Sequence, residues 1–263
     1  MAGFLIVAPI VLTAALAPWV APRDPLTMEL SDVLAGPSAS AWFGTDNLGR
    51  DLFSRVVHGA RLSLLSSAAA VALGLILGVP VGLLSAYWGG WVDLSLMRVV
   101  DVLLSFPTIL VAIVVVSILG TGVVNAVLAI GIACIPLYGR LTRSAALSVL
   151  PLEFVTAARA LGQRDGAIML RHILPGCVTP IVVQSTVHMA TALLTIAGLS
   201  FLGLGAQPPS PEWGALVSAS RQYVRAAPHL AIFPGLAIML SVLGLNLLGD
   251  GLNDMLNPRL KKL

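Results

Sequence analysis

Hydrophobic residues fall in long uncharged blocks along this chain, with short polar segments between them. Met1 to Pro22, Leu62 to Val92, Val102 to Gly139 and Cys177 to about Leu204 carry no Asp, Glu, Lys or Arg. A block of about 20 apolar residues is long enough for a helix to cross a bilayer. Met1 to Pro22 lacks the basic start and the cleavage pattern of a secretory signal, so it reads as a first membrane helix. Leu62 to Val92 suits one tilted helix ending at the Tyr87–Trp88 aromatic pair, which is matched to a membrane interface. Val102 to Gly139 exceeds one span and contains Gly120-Thr121-Gly122, so it divides into two helices about a tight turn. The predicted spans are 3–20, 62–88, 99–119, 123–143, 177–204 and 230–249.

The polar segments are equally patterned. Residues 21–61 read as a long external loop. Its end places Leu52, Phe53, Val56, Val57 and Ala60 on one helical face and Arg50, Arg55 and Arg61 elsewhere, predicting an interfacial helix. Residues 146–176 form a charged loop with its own amphipathic pattern: Leu152, Val155, Ala158 and Leu161 recur at helical spacing. Gly162 is placed to end that helix, because glycine enters the left-handed conformation without strain. Asp165 is placed to cap a second short helix that Pro175 would stop. Asp101 lies three residues after Arg98, which predicts a local ion pair. Gly74, Gly78 and Gly82 form a small-residue seam through which another helix can approach.

Composition agrees with a membrane protein. Of 263 residues 57% are hydrophobic and only 10% charged, against about 25% charged in soluble domains, and the mean hydropathy is +0.96. Six spans put both termini on one side. With the termini inside, the inner segments hold nine basic residues (Arg98, Arg140, Arg143, Arg159, Arg164, Arg171, Arg259, Lys261, Lys262) and the outer ones six (Arg23, Arg50, Arg55, Arg61, Arg221, Arg225). That asymmetry places the charged loop and Arg164 in the cytoplasm and Asp46 outside. The net charge of +3 is small and scattered, which argues against a nucleic-acid partner.

Candidate chemistry is sparse. The only lysines, Lys261 and Lys262, lie at the end of the chain without the glycine-rich context of a phosphate-binding loop, so ATP would have to be handled by another subunit. Gly198-Leu199-Ser200-Phe201-Leu202 misses a nucleophile elbow at its last position. His188 lies about 18 Å from Ser200 along one helix, too far to activate it. His58, His172, His188 and His229 show no metal-ligand spacing. Cys134 and Cys177 sit in apolar surroundings and read as inert buried thiols. No catalytic, cofactor-binding or metal-binding residue is therefore expected, and ionisable groups within spans are too few to favour a proton-coupled secondary transporter.

Thr156-Ala157-Ala158, Gly162 and Leu174-Pro175 fall in a register that resembles the cytoplasmic docking loop of permease subunits from binding-protein-dependent ABC importers. Thr156 and His172 depart from that register, where the family carries Glu and Ile. Trp42 to Leu64, Asp101 to Pro107, Gly198 to Gly214 and Asn246 to Leu260 resemble the second permease of dipeptide, oligopeptide and nickel importers, with Asn253 and Asn257 in place of the family's Arg and Asp. The resemblance implies an all-α, type I importer permease fold with six transmembrane helices and a cytoplasmic coupling helix, in a bacterial inner membrane. It implies four kinds of partner: a second permease, two ATPase subunits that hold ATP and Mg, an extracytoplasmic peptide-binding protein, and the bilayer. ATPase docking would fall to Thr156, Ala157, Ala158, Arg159, Leu161, Gly162, Asp165, Leu174 and Pro175. Ser105, Ser117, Thr191, Thr195 and Ser200 are polar enough to line the pathway. Peptides are the implied substrate, with nickel or another small solute as the alternative.

Overall fold

The computed structural model describes residues 2–256, and apart from one isolated bridge between Thr45 and Asp51 its regular structure is helical. The order is α1 (Ala2–Ala15), α2 (Ala17–Val20), a 3-10 turn (Leu30–Asp32), α3 (Leu52–Trp88), α4 (Gly90–Leu104), α5 (Thr108–Leu119), α6 (Val123–Val149), α7 (Glu153–Ala160), α8 (Asp165–Ile168), a π turn (Met169–Ile173), α9 (Leu174–Phe201), α10 (Trp213–Ser220) and α11 (His229–Leu256). Asn257, Arg259, Lys261 and Lys262 lie outside the described residues.

Four helical runs are long and apolar enough to cross a membrane: α3, α6, α8 through α9, and α11. The bent pair α4–α5 is long and apolar enough for a fifth only when its two helices are taken together. At the start, α1 is too short alone, but a hydrogen bond from Leu16 N–H to Leu12 O at 2.9 Å carries the helical path almost unbroken into α2. Together they reach about 28 Å.

The expected span over 99–119 is not one helix. α4 and α5 meet at 91° around Ser105-Phe106-Pro107. Proline lacks an N–H, and it drives the residue before it out of the helical region. Pro107 takes ψ 131°, while Ser105 Oγ turns back to Val102 O at 2.6 Å. The glycine turn after α5 lies where the sequence predicts it. Asn125 Nδ2 reaches back to the carbonyls of Leu119 (2.9 Å) and Gly120 (3.0 Å), which the end of α5 leaves unpaired.

The predicted interfacial helix is instead the first three turns of α3. Asp51 caps it, its carboxylate accepting from Ser54 N–H at 2.8 Å. Leu52, Val56, Ala60 and Leu64 are buried against Leu193, Trp213, Leu216 and Leu230, so this apolar face meets protein. Arg50 and Arg55 are buried as well. Asp46 Oδ2 accepts from Arg50 Nε at 2.7 Å and lies 3.5 Å from Arg55 Nε. Arg55 also donates to Pro25 O (3.0 Å) and Pro209 O (3.4 Å), stapling the loops before α3 and after α9 to α3. A buried charge is tolerable only when paired in this way.

The core lies where α3, α6 and α9 converge, with Ala70, Ile130, Tyr138 and Ile196 fully buried. The Gly74–Gly78–Gly82 seam packs inside the chain against α6. A Cβ on Gly74 would lie 2.5 Å from Cys134 Cβ, and one on Gly78 2.6 Å from Ile135 O and 2.7 Å from Tyr138 Cβ. Within a membrane, helices associate largely by dispersion contacts of this kind. Cys134 and Cys177 are both free and buried in this core.

Candidate functional site

The loop after α6 is the most regular polar feature of the fold. Leu152 takes an extended conformation and starts α7, which has Glu153 in its first turn and Arg159 in its last. Those signs suit the helix dipole. Val155 and Ala158 are fully buried. Leu152 and Leu161, expected on the same face, stay outside, Leu161 being 81% exposed. A helix of two turns offers a single narrow stripe to the core, and the next turn has already left it.

Gly162 stops α7 as the sequence predicts. Its φ is +71°. Its N–H reaches Arg159 O at 2.9 Å and Gln163 N–H reaches Ala158 O at 3.2 Å. This is the crossed pair of bonds that terminates a helix at a left-handed residue. Nothing lies within 4 Å of the place a Gly162 side chain would occupy. Glycine is therefore needed there for its backbone, and space is not at issue.

The second half differs from expectation at two points. Arg164 holds the N-cap position of α8, and Asp165 makes no cap bond. Its Oδ1 accepts from Tyr87 Oη at 2.6 Å instead. Pro175 does not end the helix either. The chain passes from α8 through five residues of π helix into α9, with Leu174 N–H bonding Met169 O. A π turn widens the ladder just where Pro175 supplies no N–H and needs room for its ring. Ile168 and Ile173 anchor this half in the core, while His172 Nε2 and Gln163 Oε1 lie 2.7 Å apart and tie the elbow together.

Facing away from the bundle, Phe154, Thr156, Ala157, Ala160, Leu161, Gln163 and Arg164 form an exposed surface. Phe154 is 49% exposed at the other end of α7 from Leu161. A short helix with two large apolar side chains outward and alanines between them can receive a close-fitting partner.

Next to the loop, a belt of ion pairs joins α4 to α6. Arg143 donates from both Nε (2.5 Å) and Nη2 (2.6 Å) to Asp93, which also accepts from Ser85. Asp101 pairs with Arg140 and not with Arg98. The predicted local pair loses because α4 turns Asp101 toward α6. Sequence reasoning missed Tyr87, Asp93 and Arg143 in these contacts, and spacing carries no signal for partners 50 or 78 residues apart.

The candidate pathway residues separate into two groups. Ser117, Thr191 and Thr195 are outside the core, their hydroxyls bonded to Ile113 O, Val187 O and Thr191 O of their own helices. Ser105 lies at the α4–α5 bend and lines a cavity of about 460 Å³ with Phe106, Pro107, Thr108 and Pro136. Ser200 does not belong with them. It is 2% exposed, and its Oγ accepts from Ala206 N–H at 3.0 Å, closing the turn after α9.

At the opposite end of the bundle, Glu212 and Trp213 knit α10 to α3. Ser63 Oγ donates to Glu212 Oε1 at 3.1 Å, and Trp213 Nε1 donates to Val56 O at 2.9 Å. The stretches Trp42 to Leu64 and Gly198 to Gly214, far apart in sequence, thus meet in one cluster.

Comparisons with known proteins point the same way. Residues 78–262 match the family described as binding-protein-dependent transport system inner membrane component. The chain is 48% identical over 259 residues to the dipeptide transport system permease protein DppC of Alkalihalophilus pseudofirmus, covering 98% of this chain and 85% of the relative. It is 47% identical over 262 residues to the glutathione transport system permease protein GsiD of Escherichia coli, covering 99% and 86%. Among solved structures, the inward-facing MetNI methionine ABC transporter aligns with TM-score 0.62 at 20% identity over 76% of this chain and 95% of that one. An amino acid ABC transporter with histidines aligns with TM-score 0.58 at 15% identity over 78% and 95%.

Proposed function

The chain belongs to the binding-protein-dependent transport system inner membrane components, and from that premise we propose that it forms, with a second permease, the pathway of an ATP-driven peptide importer. It is a multi-pass inner-membrane permease subunit of an ABC importer, a class that works with ATPase and binding-protein partners. The peptide substrate rests on likeness to permeases named for dipeptide and glutathione transport. The observation that carries the mechanism is the elbow of α7, Gly162 and α8, which is anchored by Val155, Ala158, Ile168 and Ile173 while it presents Thr156, Ala157 and Leu161 outward. Arg159, Asp165, Leu174 and Pro175 shape that elbow.

In this reading two ATPase subunits bind and hydrolyse ATP with Mg, and this chain does no chemistry. Docked ATPases move the elbow, and the bundle carries the movement to the pathway. Ser105 at the α4–α5 bend, with Ser117, Thr191 and Thr195, faces that pathway. The test is reconstitution in proteoliposomes with the second permease, the ATPases and the binding protein. Dipeptide uptake should require ATP, and the purified chain alone should hydrolyse none. Uptake by this chain alone, driven by a proton gradient, would overturn the reading.

Counting α1–α2 as the first span and α4–α5 as the third gives six, with both termini cytoplasmic. Cysteines placed singly at Ser40 and Arg164, with Cys134 and Cys177 replaced by alanine, should then differ. An impermeant maleimide should label Ser40→Cys on intact cells and leave Arg164→Cys unlabelled until the membrane is opened. Both positions are exposed. Asp46, although in the same outer loop, is only 6% exposed and would stay silent on either side. Labelling of Arg164→Cys with protection of Ser40→Cys would invert the topology.

A further inference from the structure

Tyr87 is the penultimate residue of α3, and both halves of the docking elbow meet on its ring. From one side its Oη donates to Asp165 Oδ1 of α8 at 2.6 Å. From the other, the guanidinium carbon of Arg159, in the last turn of α7, lies 4.9 Å over the ring centroid. Arg159 and Asp165 stand on opposite sides of Gly162, so one side chain fixes the angle between the two short helices. α7, with eight residues, is too short to hold a direction by itself, whereas α8 runs on through the π turn into α9.

We propose that Tyr87 is a positioning residue that clamps the docking elbow to α3, so that displacement of the elbow is passed to that helix. The proposal rests on reading loop 146–176 as the ATPase-docking site. Two features of the structure suit it to transmission. The clamp is polar and open to solvent, whereas Val155 and Ala158 supply the buried anchor. Such exposed contacts are weak enough to be remade at each step. The second feature is α3 itself, a single helix of 37 residues with Pro80 inside it, or about 55 Å long. Its far end is held by Trp213 through the Val56 carbonyl and by Arg55 to the Pro25 and Pro209 carbonyls. One continuous helix thus joins the cytoplasmic elbow to both outer loops.

The test uses the complete reconstituted importer and reads dipeptide taken up per ATP hydrolysed, compared at equal amounts of bound ATPase. Tyr87→Phe keeps the ring beneath Arg159 and removes only the hydroxyl. It should leave the ATPases bound and lower the ratio about threefold, the scale of one hydrogen bond. Asp165→Ala should lower the ratio similarly, and the double variant should fall no further than either single one, since all three remove the same bond. An unchanged ratio in Tyr87→Phe, or effects of the two substitutions that simply add, would overturn the clamp. Should Tyr87→Phe fail to accumulate, Asp165→Ala tests the same bond from the loop side, and an unchanged ratio there overturns it too. An unchanged ratio with ATPases bound to the loop removes the clamp alone, whereas ATPases bound elsewhere on the chain remove the docking reading beneath it.

Discussion

Valine at position 162 should reduce ATP-driven uptake to a small fraction of the native rate while the chain still inserts and accumulates in the membrane. The cause is the φ of +71°, since the site has open space around it. A left-handed conformation costs an ordinary residue about 1–2 kcal/mol, and a β-branched one more. That shifts the elbow away from its docked shape by a factor of about 5–30. Without the turn, α7 cannot end at Leu161, and the bonds from Gly162 and Gln163 to Arg159 and Ala158 are lost. The ATPases should then bind less tightly. Two comparisons isolate the backbone effect. Gly162→Asn, a residue that tolerates this conformation, should retain much of the uptake. Gly235→Val should be near native, because nothing lies within 4 Å of its Cβ position. Gly131→Val is not an equivalent comparison, since its Cβ would lie 2.5 Å from Leu73 Cδ2. Normal uptake with firmly bound ATPases in Gly162→Val would reduce the loop to a connector.

Gly78→Val should fail in the opposite way, with the protein lost before function can be asked about. Its Cβ would meet Ile135 O and Tyr138 Cβ, both fixed to the backbone of α6, at 2.6 and 2.7 Å. Overpacking a tight contact costs about 1–3 kcal/mol when neighbours can give way, and here the neighbour is main chain. The α3–α6 pair is the centre of the bundle, so the damage spreads to α9 and to the elbow that rests on Val155 and Ala158. We expect low membrane yield and a lowered melting midpoint in detergent, beside a near-native Gly235→Val. A Gly78→Val protein with native yield and melting would mean that the α3–α6 contact opens readily to admit a side chain.

The two substitutions separate what is written locally from what is not. Uncharged blocks, the glycine turn at 120–122 and the stop at Gly162 depend on hydropathy and on backbone conformation within a few residues. Both can be read along the chain, and the structure keeps them. The seam at Gly74, Gly78 and Gly82 was legible as a seam, but the sequence could not say whether α6 or another subunit would fill it. The exposed elbow was legible as amphipathic, yet the number of its apolar residues that reach the core depended on where the bundle ends.

Sequence alone determined that this is a helical membrane chain with a charged loop built about a glycine, because desolvation and backbone strain act on each segment separately. The tertiary structure decided the partners. Asp101 chose Arg140 over the nearer Arg98, Asp165 gave up a cap to accept from Tyr87, and Arg55, expected off the apolar face of an interfacial helix, went inside with Asp46. It also bent α4–α5 at Pro107 and ran α8 through Pro175 into α9. A charge or a helix end is satisfied by whichever group the packed helices bring within about 3 Å, and that group is set by helix rotation and crossing, which no local pattern encodes.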